Sequence, residues 1–331
     1  MKAYINSIHC MTYQKVSDTT FKISEPNYGE VLGNSGELRR MSKLVKMGMY
    51  ASQKCINETA LEQMDAIVVG TGLGGVESSE KFLIPLLENE SSTHSPTPFI
   101  QSLPNSIAGQ IALKLKCYGY NMTYVHRGFS FESALLDAMM LIEENYENKN
   151  ILVGGLDELV DSYVEQMRQA GYLKEDSKPN DIGVILGEGA TFLQISSEQN
   201  SQTQAVLKDL KMLYRPESEV EIMNEINQIL GDNNLKIKEI DFILIGNCGD
   251  INLDSKLELV SKYLFINHSK MNFKEQCGEF YTSSGYALWQ AVQLMNSGVS
   301  LFDEAPKSIK NVLIMNHYND VNYSIFLISK P

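Results

Sequence analysis

Short runs of apolar residues alternate along the chain with stretches in which apolar residues recur every three or four positions. The short runs predict buried strands, and the periodic stretches predict amphipathic helices. In the first half, the predicted strands are Ala3–Ile8, Ala66–Val69, Met122–Val125, Asn150–Val153 and Gly183–Gln194. The predicted helices there are Arg39–Cys55, Glu77–Leu87, Ile107–Lys116 and Phe131–Tyr146.

The second half repeats this rhythm. Its predicted strands are Val206–Leu213, Phe242–Ile245, Val312–Met315 and Tyr323–Ile328, and its predicted helices are Glu217–Leu230, Leu253–Leu264 and Gly285–Ser297. Alternating strands and helices are typical of an α/β fold. The polar run 196–203 predicts a surface turn between two halves, residues 1–195 and 204–331. Residues 88–98 form a second polar, loop-like stretch.

Composition and charge narrow the class of protein. A chain of 331 residues with 43% hydrophobic content holds one large domain or two domains of similar size. Its net charge of −13 argues against sequence-independent nucleic-acid binding. No apolar run reaches the roughly 18 residues of a membrane span, and the first residues lack a signal peptide's apolar region. The five cysteines are scattered, which predicts reduced thiols, no metal site and a cytoplasmic protein.

One motif favours a different function. The stretch from Gly70 to Gly75 (GTGLGG) matches the dinucleotide-binding fingerprint after an apolar strand and before a helix. An acidic ribose-binding residue is expected about 20 residues later, at the end of a second strand. Glu88 and Glu90 instead fall in a polar loop. We therefore predict a structural turn here and no cofactor.

Several motifs, in order and spacing, resemble those of the β-ketoacyl synthase family. They are Arg39–Cys55, Ile67–Phe82 (IVVGTGLGGVESSEKF), Ser102–Ala112 (SLPNSIAGQIA), Tyr120–Ala138, Leu152–Glu158 (LVGGLDE) and Val184–Leu193 (VILGEGATFL). The resemblance implies the five-layered, pseudo-duplicated thiolase-like fold. It also implies an acyltransferase ancestry, with acyl carrier protein as a partner.

The same resemblance indicates that the catalytic residues have been lost. Gly128 stands where the family has its nucleophilic Cys, Cys248 stands at its first catalytic His, and Glu279 stands at its second. Lys274 matches the family's Lys and is retained. A Claisen condensation needs a thiolate to carry the acyl chain. We therefore expect no condensing activity from this chain alone.

A family member without the nucleophile resembles a chain-length factor, the non-condensing partner of an active ketosynthase in fatty-acid, polyketide or aryl-polyene-type synthesis. The resemblance implies a homodimer or heterodimer through the strand before the lost nucleophile, formed by Asn121, Met122, Thr123, Tyr124 and Val125. The expected substrate-lining residues are Phe129, Ser130, Asn316 and Tyr318.

Two alternatives remain open. One is an acyl thioester hydrolase or acyltransferase that uses Cys248, Cys277 or Glu279, and the other is an acyl or acyl-carrier binding module. An acidic carrier protein would need a local basic patch, which Arg39, Arg40, Lys43 and Lys46 provide if they share a helix face.

Overall fold

The computed structural model describes residues 2–11, 13–33, 36, 38–58, 63–88, 96–144, 149–174, 182–296 and 308–331. The strands are β1 (Ala3–Cys10), β2 (Tyr13–Ser17), β3 (Thr20–Ile23), β4 (Ala66–Gly70), β5 (Tyr120–Tyr124), β6 (Asn150–Asp157), β7 (Gly189–Ser196), β8 (Ala205–Tyr214), β9 (Phe242–Gly246), β10 (Ser269–Asn272), β11 (Asn311–Tyr318) and β12 (Asn322–Ser329). The helices are α1 (Tyr28–Leu32), α2 (Lys43–Asn57), α3 (Val76–Leu87), α4 (Pro96–Ser102), α5 (Ser106–Leu115), α6 (Ser130–Glu143), α7 (Asp161–Gln169), α8 (Glu219–Asp232), α9 (Ile251–Leu264), α10 (Lys274–Cys277) and α11 (Ser284–Asn296).

Ten of the described strands form one mixed sheet that contains the same arrangement twice. From one edge the order is β10-β9-β11-β12-β8-β1-β7-β6-β4-β5. Read outward from the centre, β1-β7-β6-β4-β5 and β8-β12-β11-β9-β10 have the same topology, with the first strand of each half joined antiparallel across Ala3–Ile5 and Ala205–Leu207. In each half, the two outermost strand pairs are parallel. The predicted pseudo-duplicated α/β fold is confirmed, and the exact limits of the two halves stay a prediction.

Helices lie on both faces of each half of the sheet, in five layers. Helices α2 and α5 pack on the outer face of the first half, while α6 and α11 pack against each other and on the inner faces. Helices α8 and α9 belong to the outer cluster of the second half. Three large apolar clusters fill the spaces between these layers. Strand β7 is buried along its whole length because helices cover both faces.

Most predicted elements are present, with shifted ends. Helix α2 begins at Lys43, where Ser42 accepts a hydrogen bond from Val45 N–H, and Leu38–Arg40 forms a separate 3₁₀ turn. The predicted strand at Gly183–Gln194 starts only at Gly189, because Val184 and Leu186 form single bridges. Most of the predicted loop 88–98 lies outside the described residues, and α4 begins at its end.

No described helix is both long enough and apolar enough to cross a membrane.

Candidate functional site

The carboxyl ends of parallel strands from both halves of the sheet meet at the centre of the molecule. Asp157, the last residue of β6, connects them through four hydrogen bonds. Its Oδ1 accepts from Gly72 N–H at 2.6 Å and from the Thr71 hydroxyl at 3.3 Å. Its Oδ2 accepts from both the N–H and the hydroxyl of Thr282 at 2.9 Å. Asp157 therefore fixes the loop after β4 to the segment before α11.

This use of Gly72 removes the dinucleotide-binding alternative. The N–H that would face a phosphate already donates to a carboxylate. The ring of Tyr281 also packs directly on Gly72, since a Cβ atom placed there would lie 2.2 Å from ring carbons. The glycines of this loop thus permit close packing, as the predicted structural turn requires.

Gly128 lies in a short 3₁₀ turn, Arg127–Phe129, between β5 and α6. Arg127 has a left-handed φ of 50°, so the backbone makes a sharp bend just before Gly128. Gly128 is buried, and a Cβ atom placed on it would lie 2.6 Å from Cβ of Tyr318. The space that a side chain at position 128 would need is therefore occupied by the end of β11.

Ser130, the nearest hydroxyl, is committed to the backbone. Its Oγ accepts from His126 N–H at 2.8 Å and lies 3.0 Å from Thr71 O and 2.8 Å from Arg127 O, one of which takes its proton. The imidazole of His126 contacts Ser133 rather than Ser130. No described side-chain base hydrogen-bonds to Ser130, so it has no partner to activate it as a nucleophile.

Cys248 follows β9 and is held in a polar turn built on Asp254. The N–H groups of Cys248 and Gly249 donate to Asp254 at 2.8 and 2.9 Å. Burial raises the pKa of the Cys248 thiol, and the neighbouring carboxylates of Glu279 and Asp254 raise it further. The thiol is therefore protonated near neutral pH. Cys277 is fully buried, and burial likewise raises the pKa of its thiol well above its usual range.

His317 was not singled out from the sequence, although it lies inside this site. Its Nε2 is 2.8 Å from Asp254 Oδ1, and its Nδ1 accepts from Asp320 N–H at 3.2 Å. We therefore assign the imidazole proton to Nε2, where it donates to Asp254. Cys248, Asp254 and His317 are close enough together to suggest a metal site. In the structure, Asp254 accepts hydrogen bonds from the N–H groups of Cys248 and Gly249 and lies against His317, which makes this a hydrogen-bonded turn.

Lys274 and Glu279 form a buried ion pair. Their Nζ and Oε2 atoms are 2.6 Å apart, and Nζ also donates to the carbonyl of His317. Glu279 Oε1 has no hydrogen-bond partner among the described residues. Glu279, which lines a small cavity, therefore presents a hydrogen-bond acceptor there and not a donor.

Tyrosine rings fill most of the remaining space. The rings of Tyr281 and Tyr318 stack with centroids 4.5 Å apart, and the hydroxyl of Tyr163 is 3.2 Å from that of Tyr281. What is left beside these rings and Glu279 is a cavity of about 20 Å³. Such a cavity holds about one water molecule. The site is closed to an acyl chain in this conformation.

Phe129 and Asn316, the other predicted substrate-lining residues, are also buried. Asn316 lies in β11 and packs on Gly246, where a Cβ atom would be 2.3 Å from its Oδ1. Phe129 lies beside His126, with ring centroids 6.0 Å apart. The structure thus buries three of the four predicted substrate-lining residues, Phe129, Ser130 and Asn316. The partly buried Tyr318 lines the cavity, and the substrate-lining role of all four stays a prediction.

The model for the N-terminal domain of β-ketoacyl synthase matches residues 37–234, which is more than half of the chain. The chain belongs to the β-ketoacyl synthase family.

Individual relatives agree with this family. A 3-oxoacyl-[acyl-carrier-protein] synthase 2 from Synechocystis sp. (strain ATCC 27184 / PCC 6803 / Kazusa) is 28% identical over 174 residues, which cover 47% of this chain and 42% of the relative. The match thus spans less than half of that relative's length. A β-ketoacyl synthase from Burkholderia phymatum STM815 superimposes with a TM-score of 0.79 at 12% identity, covering 100% of this chain and 99% of that one. The ketosynthase ApeO in complex with its chain length factor ApeC, from Xenorhabdus doucetiae, gives a TM-score of 0.78 at 14% identity, covering 99% and 98%.

At 12–14% identity, the two structural matches show the fold alone, and that fold is the thiolase-like arrangement of the β-ketoacyl synthases. Within this family, Gly128, Cys248 and Glu279 remain our sequence-based assignments for the three catalytic positions. Glu279 lines the closed tyrosine-lined cavity, and Gly128 packs on Tyr318 at the end of β11. Cys248 and His317 of β11 both contact Asp254. Lys43, one of the four residues that could form a basic patch, forms an ion pair with the buried Glu188 at 2.7 Å.

Proposed function

We propose that this chain is a catalytically degenerate β-ketoacyl synthase that acts as the non-condensing partner of an active ketosynthase, as a chain-length factor does. The observation that carries the proposal is the contact between Gly128 and Tyr318. The position assigned to the nucleophile has no side chain and no room for one. The chain keeps the ketosynthase fold while its own site cannot accept an acyl group.

The chemistry of the surrounding residues supports the same proposal. Condensation puts negative charge on a thioester oxygen, and enzymes stabilise such charge with preorganised hydrogen-bond donors. The loss of one such donor typically costs about 10²–10³ in rate. Here the two assigned donor positions hold Cys248, a weak donor, and Glu279, an acceptor paired with Lys274. Lys274, the retained donor, is already engaged by Glu279 and by the carbonyl of His317.

The edge strand β5 supports a partner role. It pairs only with β4 and ends the sheet, so one row of its backbone groups is unpaired within the sheet. Its residues Tyr120 and Met122 are 39% and 40% exposed, and Val125 just beyond it is 50% exposed. An exposed apolar edge is an aggregation hazard unless another chain covers it. We propose that a ketosynthase, or a second copy of this chain, pairs with β5.

One of the structures that this chain resembles contains the ketosynthase ApeO in complex with its chain length factor. By analogy, this chain would bound the acyl tunnel of its partner in fatty-acid, polyketide or aryl-polyene-type synthesis, with substrates delivered on an acyl carrier protein. Its exposed residues Arg39 and Arg40 supply positive charge for such an acidic carrier.

The test is reconstitution. Malonyl decarboxylation and elongation are assayed with this chain alone, with a co-expressed active ketosynthase, with that ketosynthase carrying Ala in place of its nucleophile, and with the intact ketosynthase alone. We expect no product from this chain alone or from the pair with the Ala variant. The intact pair should give product, and the ketosynthase without this chain should give less product or product of a different length. Elongation by the isolated chain would refute the proposal, and so would a ketosynthase that neither binds this chain nor responds to it.

A further inference from the structure

A second, larger concavity lies away from the closed site, between α2, α4 and α5. This α2–α5 groove has a volume of about 630 Å³, within the range of about 300–1,000 Å³ typical of ligand pockets. None of the residues that line the tyrosine-lined cavity lines it. Its floor is formed by the buried side chains of Val45 and Met49 together with Met41.

The walls of the groove are apolar and exposed. Ile100 of α4 is 55% exposed and Leu113 of α5 is 72% exposed, and both line it. Two large apolar side chains held beside a buried apolar floor present a surface that gains free energy when an alkyl chain covers it. A contiguous apolar concavity of this kind marks an interaction site.

The charged side chains that line the groove favour an anionic ligand. Arg40 and Lys114 line it, and no described lining residue carries a carboxylate. Neither cation forms an ion pair with a described acidic residue, although the whole chain carries a net charge of −13. The hydroxyl of Ser106 also lines the groove and has no hydrogen-bond partner among the described residues. An apolar chain ending in an anion matches this arrangement.

We propose that the α2–α5 groove binds a free long-chain fatty acid, with the alkyl chain on Met41, Val45 and Met49 and the carboxylate at Arg40 and Lys114. The proposal goes beyond the partner role, because the groove lining includes no residue of β5 and none of the assigned catalytic positions. Arg40 also belongs to the charged surface proposed for the carrier protein, and Ile100 and Leu113 also line the adjoining concavity that reaches Asn121 of β5. Probe binding is therefore measured without a carrier protein or ketosynthase, so that its failure is distinguishable from failure of the partner role.

Binding of dansyl-labelled undecanoic acid is measured by fluorescence with the purified chain, and hexadecanoate and methyl hexadecanoate are then used as competitors. We expect saturable binding and displacement by hexadecanoate. The methyl ester should compete about tenfold less well, because it lacks the charge that Arg40 and Lys114 recognise.

Variants locate the site. Leu113→Glu places a carboxylate on the apolar wall and should weaken probe binding by more than about tenfold. Arg40→Glu and Lys114→Glu should each weaken it about three- to tenfold. The matched controls are Ile266→Glu and Lys262→Glu, which change an exposed apolar residue and an exposed cation in the second half of the chain. These two should bind the probe like the wild type.

Three results would overturn the proposal: no saturable binding, equal competition by the acid and its ester, or wild-type binding by Leu113→Glu. Circular dichroism of each variant distinguishes a lost site from a lost fold. If a second copy of the chain covers the groove, the dimer will not bind the probe, and that result also counts against the proposal.

Discussion

Gly128 lies in the turn just before α6 and packs against the side chain of Tyr318. Because Gly128 has no Cβ atom, this turn and the end of β11 can approach each other closely. A Cβ atom at position 128 would lie 2.6 Å from the Tyr318 Cβ, which belongs to a strand and cannot rotate away. Inserting even one methyl group into such packing typically costs about 1–3 kcal/mol. A cysteine at this position, which the resemblance assigns to the nucleophile, would therefore meet a steric obstacle.

A double-mutant cycle tests this contact. Gly128→Ala should lower the free energy of unfolding by about 1–3 kcal/mol in the wild type and in Tyr318→Ala, which keeps the Cβ atom. In Tyr318→Gly the same change should cost much less. Urea unfolding gives each value, and the coupling between the two positions follows from the cycle. Equal costs in the Ala and Gly backgrounds would show that Tyr318 Cβ is not the obstacle.

Buried thiols give a second prediction. Cys117 is partly exposed, whereas Cys10, Cys55, Cys248 and Cys277 are buried. Burial raises the pKa of each of the four buried thiols, so little thiolate is available. Iodoacetamide at neutral pH should modify Cys117 first and the others only after unfolding, as read by mass spectrometry. Fast, stoichiometric modification of Cys248 or Cys277 would revive the thioester hydrolase alternative.

The buried carboxyl group of Glu132 on α6 should make the free energy of unfolding depend on pH. It is fully buried, with Oε1 accepting from Ser324 at 2.8 Å, and burial raises its pKa from 4.5 to about 7. The folded protein therefore binds more protons than the unfolded chain between these values, so the free energy of unfolding falls as pH rises through them. The contribution is about 3 kcal/mol. Burial also raises the pKa of Asp157, to about 6, which acts in the same direction.

Unfolding by urea at pH 5 and pH 8 measures this effect. Glu132→Gln keeps the shape of the side chain without its charge, and it should reduce the difference between the two pH values and leave the part that Asp157 contributes. Glu143→Gln changes an exposed residue on the same helix and should leave the difference unchanged. An unaltered pH dependence in Glu132→Gln would exclude this carboxyl as its source.

At the scale of elements, the spacing of apolar residues predicted the long helices and the buried strands. Each of these packs between layers, and the layers fix which of its positions are buried. It missed β2, β3, β10, α1, α4, α7 and α10. Three of these are short strands at edges or outside the main sheet, where few positions are buried. Such segments carry little periodic signal.

The closed site was less predictable than the elements around it. The positions assigned to the catalytic residues, Gly128, Cys248 and Glu279, could be proposed from the sequence because each lies in a motif that resembles one of the family. The tyrosine rings that fill the site could not be predicted, because the three residues are far apart in sequence and meet only when both halves fold together. They are Tyr163, Tyr281 and Tyr318. The pairing of His317 with Asp254 was missed for the same reason.

Strand β5 carries the prediction for assembly. Met122→Asp puts a charge on the exposed edge and should convert a dimer to a monomer, because the interface must exclude water from this strand. Val220→Asp, at a 50% exposed apolar residue on α8, is the control and should stay dimeric. Light scattering after size exclusion gives the mass. A wild-type monomer at micromolar concentration would remove the main support for a partner subunit.

At the scale of the whole molecule, the two halves share one core. The central apolar cluster contains residues of β1, β4, α6, α11 and β12, so neither half can expose its inner face without the other. The Asp157 hydrogen bonds also join the two halves, since Thr71 and Gly72 belong to the first and Thr282 to the second. A shared core of this kind favours unfolding in a single cooperative transition.

Asp157→Asn tests how much the four Asp157 hydrogen bonds contribute to stability. The amide keeps one acceptor for Gly72 and Thr71, but its NH₂ group faces the N–H of Thr282, so two donors oppose each other. A buried donor left without a partner costs about 1–3 kcal/mol. We expect the variant to unfold at lower temperature, still in one transition, with both halves losing structure together in hydrogen exchange. If the second half stayed protected from exchange while the first exchanged, the halves would be independent units, and the Asp157 hydrogen bonds would not couple their unfolding.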